Sequence, residues 1–350
     1  MRDATRELNT MPKRWKNRPE GSNWGDFGPD DQLGRMNLIT PERRIKAMAE
    51  VRTGKVFCLS LPLDYPGGSV LNGQRKPPSF HPVMREDYVY FNVESSKVDP
   101  RFTDISCDEA VTLYSQYSTQ WDAFGHKGSM FDADGDGVPE KVYYNGHKVV
   151  DDKTGKPLHG EVGAGALTVA TMAETCVQGR GVMIDLRHHL GDDRVGVDYD
   201  ALMRIMEADK VEVEEGDMVC LHTGLGARIM DMKRDPDPSI RTLCTVLDGH
   251  DPKLLNWVTD TGLTAIISDN LAVEASSSLG PDPRLGDKGP SLPLHEHCLF
   301  KLGIHLGELW YLTALAEWLR ANNRSRFLLT APPLRLPGAV GSPATPVATV

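Results

Sequence analysis

Short apolar segments alternate with amphipathic segments along most of this chain. "VMIDL", "MVCLHTG" and "LTAIISDN" are typical of buried strands, whereas "YDALMRIMEAD" and "PKLLNWVTDTG" are typical of helices. This alternation favours helices packed around one main sheet, because each element must bury its apolar face against another layer. The chain shows neither an internal repeat nor a convincing linker. We therefore predict one α/β domain over residues 36–350, preceded by an N-terminal arm over residues 1–35.

Three local patterns add detail to this prediction. In "NLITPERRIKAMAEVRTG", Thr40 is a plausible N-cap, Pro41 suits the first turn, and Gly54 would follow the helix end. In "KVYYNGHKVV", the pair Asn145 and Gly146 predicts the turn of a β-hairpin. The C-terminal tail is rich in Pro and Gly, but its Leu and Val residues indicate that it packs against the domain.

Composition argues against several classes of protein. The 350 residues carry a net charge of −10, without a compensating Lys/Arg cluster, which argues against a nucleic-acid surface. Apolar runs are too short to span a bilayer, and the charged N-terminus does not resemble a signal peptide. The six cysteines are scattered and mostly sit beside apolar residues, as expected of reduced thiols. We therefore expect a cytoplasmic protein with no membrane partner.

The stretch "SQYSTQWDAFGHKG" combines polar groups in a suggestive order. Gln116, Gln120 and Asp122 have even spacings, which would place their side chains on one face of an extended segment. His126 follows from the turn beyond. One interpretation is a metal site. The alternative is a strand end whose polar groups are satisfied by ordinary hydrogen bonds, because short groupings of this kind also recur by accident.

A second polar group lies about 170 residues downstream. His295 and His297 in "LHEHCLF" precede Glu308 in "GIHLGELW". Imidazole and carboxylate are ligands that hydrolytic metals prefer. Such groups at the ends of apolar segments cost desolvation free energy unless something pairs with them, and a divalent cation would do so.

Together these residues resemble the cyclase-like metal-dependent hydrolases, a family that includes bacterial kynurenine formamidase and isatin hydrolase. In "QYSTQWDAFGH", Thr119, Asp122 and His126 match the family motif H-x-G-T-H-x-D-x-P-x-H. Gln116 and Gln120 stand where that motif has two metal-binding histidines. This glutamine version most resembles the branch containing trans-dienelactone hydrolase, a zinc-dependent enzyme that opens an unsaturated lactone acid.

The resemblance implies a set of site residues. The implied metal ligands are Asp122, His295 and Glu308, with Gln116 and Gln120 as weak ligands or partners of metal-bound water, because an amide oxygen is a weaker zinc ligand than imidazole. His295 is preferred over His297. One divalent cation per chain is expected, zinc first with manganese or iron as alternatives, and a second metal is left open. His126 is implied as the catalytic proton donor and acceptor, a role that suits histidine near neutral pH.

Three further residues are candidates for substrate binding. Trp121 and Phe124 flank the ligands and could wall a pocket, although plain core packing explains them equally well. Arg187 follows the strand "VMIDL" and could pair with a substrate carboxylate, although a structural salt bridge is at least as good an explanation.

The implied fold is α/β with a compact mixed β-sheet or barrel-like core surrounded by helices. The implied activity is hydrolysis of a small cyclic ester or amide, such as a dienelactone, a formamide or a cyclic amide, by metal-activated water. A homodimer or homotetramer is also implied. The length and the Pro/Trp/Gly-rich character of the N-terminal arm give the separate hypothesis that it wraps a neighbouring subunit. The alternative function is a non-catalytic small-molecule-binding protein that retains the fold.

Other motifs are weaker. "DADGDG" places Asp132, Asp134 and Asp136 at the spacing that opens a calcium loop, but Tyr143 occupies the twelfth position, where a bidentate glutamate belongs. An acidic surface turn is the better interpretation. The G-x-S-x-G elbow of serine hydrolases does not occur in the chain.

Overall fold

The computed structural model describes residues 13–151, 153–275 and 289–350. The part of the predicted arm before residue 13 lies outside the described residues. Among the helices in the described ranges, none combines the length and the apolar character needed to cross a membrane.

Short strands and helices alternate along the described chain. The strands are β1 (Val56–Cys58), β2 (Ser79–Pro82), β3 (Met84–Arg85), β4 (Tyr88–Val89), β5 (Val93–Glu94), β6 (Ile105–Ser106), β7 (Glu109–Thr112), β8 (Gln120–Asp122), β9 (Ser129–Phe131), β10 (Glu140–Val142), β11 (Gln178–Asp185), β12 (Gly196–Val197), β13 (Met218–His222), β14 (Val246–Leu247), β15 (Ala265–Ser268), β16 (His305–Glu308), β17 (Arg326–Thr330), β18 (Gly341–Pro343) and β19 (Val347–Thr349). The helices are α1 (Pro41–Met48), α2 (Val169–Glu174), α3 (Leu186–Leu190), α4 (Tyr199–Asp209), α5 (Leu225–Asp231), α6 (Pro252–Asp260), α7 (Pro293–His295) and α8 (Thr313–Ala321), and a π-helical turn over Glu296–Leu302 continues α7.

One mixed sheet organises the domain. Its strand order is β1-β19-β17-β11-β13-β15-β16-β8-β18, and it curls into a half-barrel. The four central strands β11, β13, β15 and β16 run parallel, and the strands on both sides pair antiparallel. Parallel strands need both faces covered, which explains why β13, β15 and β16 are buried along their whole length. The predicted single α/β domain with a mixed, barrel-like sheet is confirmed.

Helices cover both faces of this sheet. Leu202 of α4 and Leu254 of α6 belong to the apolar cluster on one face. Leu315 of α8 and Met172 of α2 belong to the cluster on the other face. Because β11, β13, β15 and β16 are parallel, their carboxyl ends meet at one edge, where α/β proteins place their ligands. Glu308, the last residue of β16, lies at that edge.

The local predictions have mixed outcomes. Helix α1 begins as predicted: Pro41 is its first residue, and Thr40 Oγ1 accepts a hydrogen bond from Arg43 N at 3.3 Å. It ends at Met48, six residues before Gly54, and the backbone N–H groups of Thr53 and Gly54 donate to the carbonyl of Val350. The C-terminal tail does pack, since it supplies strands β18 and β19 of the main sheet.

The prediction that "KVYYNGHKVV" forms a hairpin by itself is wrong, because its first half pairs with a different strand. Asn145 and Gly146 do form a tight turn with positive φ values of 55° and 72°. However, β10 pairs with the preceding strand β9, so the acidic loop "DADGDG" is the hairpin connection. The Asn145 side chain instead bonds the N-terminal segment, accepting from Gly25 N and donating to the carbonyl of Gly28.

Residues 13–35 lie against the body of the same chain. Trp24 is buried, makes an edge contact with Phe300, and donates its indole N–H to the Phe300 carbonyl at 2.8 Å. The Arg35 guanidinium is also buried and donates to the carbonyls of Val258 and Thr259. This described part of the segment therefore contributes to the core.

Candidate metal centre

Two neighbouring strands bring three polar side chains to one face of the sheet. In the antiparallel register of β8 and β16, Gln120 lies opposite Glu308 and Asp122 opposite Leu306. Side chains of directly paired residues share a face, so Gln120, Asp122 and Glu308 all point the same way. Gln120 Nε2 donates to Glu308 Oε2 at 3.0 Å.

His295 completes this group from the end of α7. Its Nε2 lies 3.3 Å from Glu308 Oε1, and its Nδ1 lies 2.8 Å from Glu274 Oε1. One donor atom each from Asp122, His295 and Glu308 lie within 4.8 Å of one another, and all three residues are buried. The structure therefore brings together the three residues that the resemblance implies as metal ligands.

The donor set fits a divalent cation. Within the described ranges, the buried atoms Asp122 Oδ2 and Gln120 Oε1 have no hydrogen-bond partner. A buried carboxylate oxygen without a partner is costly, and a cation would compensate that cost. One imidazole nitrogen with carboxylate and amide oxygens suits zinc, manganese or iron. The alternative interpretation, a strand end with satisfied hydrogen bonds, leaves these two oxygens unexplained.

Electrostatics couples the three ligands. Burial and the nearby Glu308 carboxylate raise the pKa of Asp122. Burial opposes a charge on His295, but its hydrogen bonds to Glu274 and Glu308 prevail and raise its pKa to about 10. Burial also acts against ionisation of Glu308, but the bond to His295 outweighs it and lowers the Glu308 pKa. The protein without a cation therefore holds an imidazolium between two carboxylates, where a divalent ion would take over the positive charge.

Glu274 is a site residue that sequence reasoning missed. Besides the His295 side chain, it accepts from the backbone N–H groups of Leu294 and His295, at 2.9 and 2.8 Å. It follows two residues with positive φ, Ala272 and Val273. The available signal was a carboxylate that directly follows the apolar run "LAV", six residues after the end of strand β15.

The two glutamines present different atoms to the centre. Gln116 lies outside the strand, contrary to the prediction from even spacing, because β8 contains only Gln120–Asp122. Gln116 reaches the site from the preceding turn, and its Nε2 donates to Asp122 Oδ1 at 2.5 Å and to His126 Nδ1 at 3.0 Å. Gln116 thus presents an N–H group, whereas Gln120 leaves its oxygen unpaired.

His126 lies at the rim of the centre. Its side chain is 25% exposed, and its Nε2 is 3.9 Å from Asp122 Oδ2. Because Gln116 donates to Nδ1, a neutral His126 carries its proton on Nε2, the atom that faces Asp122. This position allows His126 to exchange protons with a molecule at the centre without being a ligand.

Two other motif residues lie apart from the donor atoms. The Thr119 hydroxyl donates to the Leu309 carbonyl at 2.6 Å and accepts from Leu61 N, so it joins the segments that flank strands β8 and β16 to the chain after β1. His297 Nε2 lies 2.9 Å from the Thr259 hydroxyl, and burial together with the charge of Lys301 lowers its pKa to about 4. Of the two histidines, His295 is therefore the one next to Glu308.

The structure does not bring the predicted substrate-binding residues to the centre. Trp121 points to the opposite sheet face, where it packs against Trp310 and donates to the Ala331 carbonyl, because neighbouring strand residues alternate in direction. Phe124 is buried and stacks on the His305 ring. Core packing explains both aromatic residues.

Arg187 has a structural role as well. Its Nε donates to Asp192 Oδ1 at 2.8 Å, the salt bridge that sequence reasoning left open. Arg75 is the cation that the structure places beside the centre instead. Its guanidinium donates to the Gln116 carbonyl at 2.7 Å and helps to lower the pKa of Glu308.

The acidic loop forms a surface turn, as predicted. Asp134 and Asp136 are exposed, Asp132 is half-buried, and the three bring carboxylate oxygens within 4.8 Å of one another. The Asp132 carboxylate accepts backbone N–H groups of the loop itself, including that of Gly135. These bonds explain the aspartates as turn-forming residues.

Comparisons with known proteins agree with this fold. A solved structure described as a novel cyclase is 26% identical, covers 94% of this chain and 97% of its own, and has a TM-score of 0.72. Isatin hydrolase A from Labrenzia aggregata is 14% identical, with 87% and 95% covered and a TM-score of 0.54. Isatin hydrolase A from Ralstonia solanacearum is also 14% identical, with 87% and 93% covered and a TM-score of 0.52. At this identity, the two isatin hydrolases show similarity of fold.

No curated protein matches the chain in a sequence search. The Cyclase family model, however, matches residues 58–275, a range that includes strand β8, His126 and Glu274. This range is more than half of the chain. The chain therefore belongs to the Cyclase family.

Proposed function

We propose that this protein is a metal-dependent hydrolase that opens a small cyclic ester or amide. The observation that carries this proposal is the buried group of Asp122, His295 and Glu308, with two unpaired oxygens facing it. Membership of the Cyclase family and the fold shared with isatin hydrolases support the same activity. We propose one divalent cation per chain, with zinc as the first candidate.

Each side chain has a distinct role in this proposal. Asp122, His295 and Glu308 would hold the cation, and Gln120 would offer its free amide oxygen. When bound, such a cation acidifies a water molecule and polarises a carbonyl group. His126 would hold the proton removed from the attacking water and return it to the leaving group. Gln116 fixes the orientation of His126 by its hydrogen bond to Nδ1.

Two observations narrow the range of candidate substrates. Gln116 lines a narrow recess together with Tyr117, Leu309 and Arg75, which favours a small substrate. Arg75 places a guanidinium at this recess, a group that pairs well with a carboxylate. We therefore favour a lactone that carries a carboxylate, such as a dienelactone, over a neutral amide.

The experiment combines metal analysis with turnover. Protein purified without chelator should contain close to one zinc, manganese or iron per chain and should open a carboxylated lactone. Asp122→Asn should lose both the metal and the activity while the fold survives. Asp134→Asn, an exposed residue of the acidic turn, is the matched control and should retain both. Turnover that survives in Asp122→Asn would contradict the proposal.

The same experiment distinguishes the proposed hydrolase from the alternative function. A non-catalytic binding protein would contain no metal, would take up none, and would hydrolyse neither lactones nor formamides. The Asp122 Oδ2 atom, which has no hydrogen-bond partner, argues against that alternative. In a protein that binds no metal, this buried carboxylate oxygen would cost desolvation free energy without any compensation.

A further inference from the structure

His305 is a buried histidine outside the group of candidate ligands. It is the first residue of β16, three residues before Glu308, and it is 2% exposed. Its Nδ1 lies 3.0 Å from the backbone oxygen of Asp122. Because a carbonyl oxygen can only accept a hydrogen bond, Nδ1 carries the hydrogen and donates it. His305 therefore contacts the backbone of a candidate ligand rather than its carboxylate.

The same ring also contacts the turn that follows Asp122. It stacks on Phe124, with the ring centroids 4.0 Å apart and an angle of 19° between the planes. Phe124 begins the short 3₁₀ turn Phe124–His126, which ends at the proposed proton carrier. His305 is therefore attached at two points to the five residues that link Asp122 to His126.

The peptide group between Asp122 and Ala123 is held from both sides. Ala123 N donates to the carbonyl of Val340, which precedes β18, at 3.0 Å. The carbonyl of the same peptide group accepts from His305 of β16. In a trans peptide the N–H and C=O groups point in opposite directions, so the two bonds together fix the orientation of the peptide plane. This plane adjoins the Cα atom that carries the Asp122 carboxylate.

Burial of the His305 ring is costly. Within the described ranges, its Nε2 has no hydrogen-bond partner. A buried polar atom without a partner is destabilising, and an apolar side chain of similar size would fill the same space without that cost. Packing on Phe124 therefore does not explain a histidine at this position, whereas the bond from Nδ1 to Asp122 does.

We infer that His305 is a positioning residue of the candidate metal centre, which fixes the Asp122 carboxylate relative to the other ligands and to His126. This inference rests on the proposed function. One donor atom of Asp122 lies within 4.8 Å of those of His295 and Glu308, and its Oδ2 is 3.9 Å from His126 Nε2. Removing a group that orients a metal ligand commonly changes metal affinity or activity by about 10- to 100-fold.

Two conservative variants test this inference by Co²⁺ binding, measured by competition with a chelator and by the visible absorption of the bound ion, which reports the arrangement of its ligands. In His305→Asn the amide N–H takes the place of Nδ1–H, whereas in His305→Gln it takes the place of Nε2–H. His305→Gln should bind Co²⁺ about 10- to 100-fold more weakly than the wild type, with a changed spectrum. His305→Asn should keep most of the affinity and the wild-type spectrum, because it retains the donor to Asp122.

His147→Gln is the matched control. His147 is another buried histidine whose Nε2 has no partner within the described residues, and it lies outside the turn from Asp122 to His126. The control should bind Co²⁺ with the affinity and the spectrum of the wild type, even if its free energy of unfolding falls.

The outcomes separate positioning from a purely structural role. Equal Co²⁺ affinities in His305→Asn and His305→Gln would overturn the inference, as would an equal loss in His147→Gln. If His305→Gln fails to fold by circular dichroism, His305→Leu replaces it, because leucine removes the N–H donor and is apolar. A wild type that binds no Co²⁺ would overturn the proposed function and this inference with it. A wild type that binds Co²⁺, with both His305 variants unchanged, would overturn this inference alone.

Discussion

Glu274 Oε1 lies 2.8 Å from both the Nδ1 atom and the backbone nitrogen of His295. One carboxylate therefore fixes the position of the His295 backbone and the orientation of its ring. With Nδ1 engaged, Nε2 lies 3.3 Å from Glu308 Oε1, in the group that also contains the Asp122 carboxylate. Carboxylates that hold a histidine in this way commonly tune metal affinity.

Glu274→Gln should lower metal affinity by roughly 10- to 100-fold, because the amide holds the imidazole less firmly and makes it a weaker ligand. Competition with a chelator of known affinity measures the change. The control is Glu296→Gln, whose carboxylate accepts from the Ser129 hydroxyl rather than from His295. Equal metal affinities in the two variants would show that Glu274 does not support the metal centre.

Metal affinity should rise with pH. Between its two carboxylates His295 has a pKa raised to about 10, so at neutral pH a cation must displace the proton from its ring. Apparent affinity should therefore increase by about tenfold per pH unit below that pKa, with about one proton released per ion. Calorimetry in buffers of different ionisation enthalpy counts the protons. An affinity independent of pH would show that His295 is already neutral.

The metal-free protein should lose stability as pH rises. A folded-state pKa of about 10 lies above the value of 6.5 expected when His295 is unfolded. The contribution of the His295 proton to the free energy of unfolding is therefore complete below pH 6.5 and lost as pH rises through about 10. Urea denaturation across this range, with chelator present, measures the loss. The metal-loaded protein should lack this trend, because there the ring is already deprotonated.

His126→Asn should reduce kcat by about 10²- to 10⁴-fold while metal content stays unchanged, because His126 is expected to move a proton rather than bind the ion. Gln116→Leu should cause a smaller loss of the same kind, since it frees the His126 ring from its 3.0 Å bond. Turnover and metal content are measured on the same samples. Loss of the metal in His126→Asn would make this histidine a ligand.

Trp24→Ala should lower the free energy of unfolding by about 3–5 kcal/mol, the usual cost of deleting a buried aromatic side chain. Urea denaturation measures this loss. Phe102→Ala, which shortens an exposed side chain, is the control and should change the free energy of unfolding little. An unchanged midpoint of urea unfolding in Trp24→Ala would support the domain boundary predicted from the sequence, in which residues 1–35 form a separate arm.

The spacing of apolar residues predicted the central helices and strands well. It did not predict which residues near the site face the candidate centre. Helix α4 occupies the residues of the predicted segment "YDALMRIMEAD", because its Asp198 cap and apolar spacing are local properties. Trp121 and Phe124 were ambiguous for a physical reason: an aromatic residue next to a ligand packs into the core as readily as it lines a pocket. Only the register of β8 against β16 decides which way each side chain points.

The sequence by itself determined the layered α/β architecture and the chemical types of the candidate ligands. Both depend on the order of residues within short segments, through side-chain periodicity and the motif around Asp122. Tertiary structure alone decided that Glu274 orients His295, and that Gln116 donates while Gln120 keeps a free oxygen. It also places His295, the histidine that the family resemblance favoured over His297, next to Glu308. These outcomes depend on distances between residues far apart in the chain, which only the packed sheet brings within hydrogen-bond range.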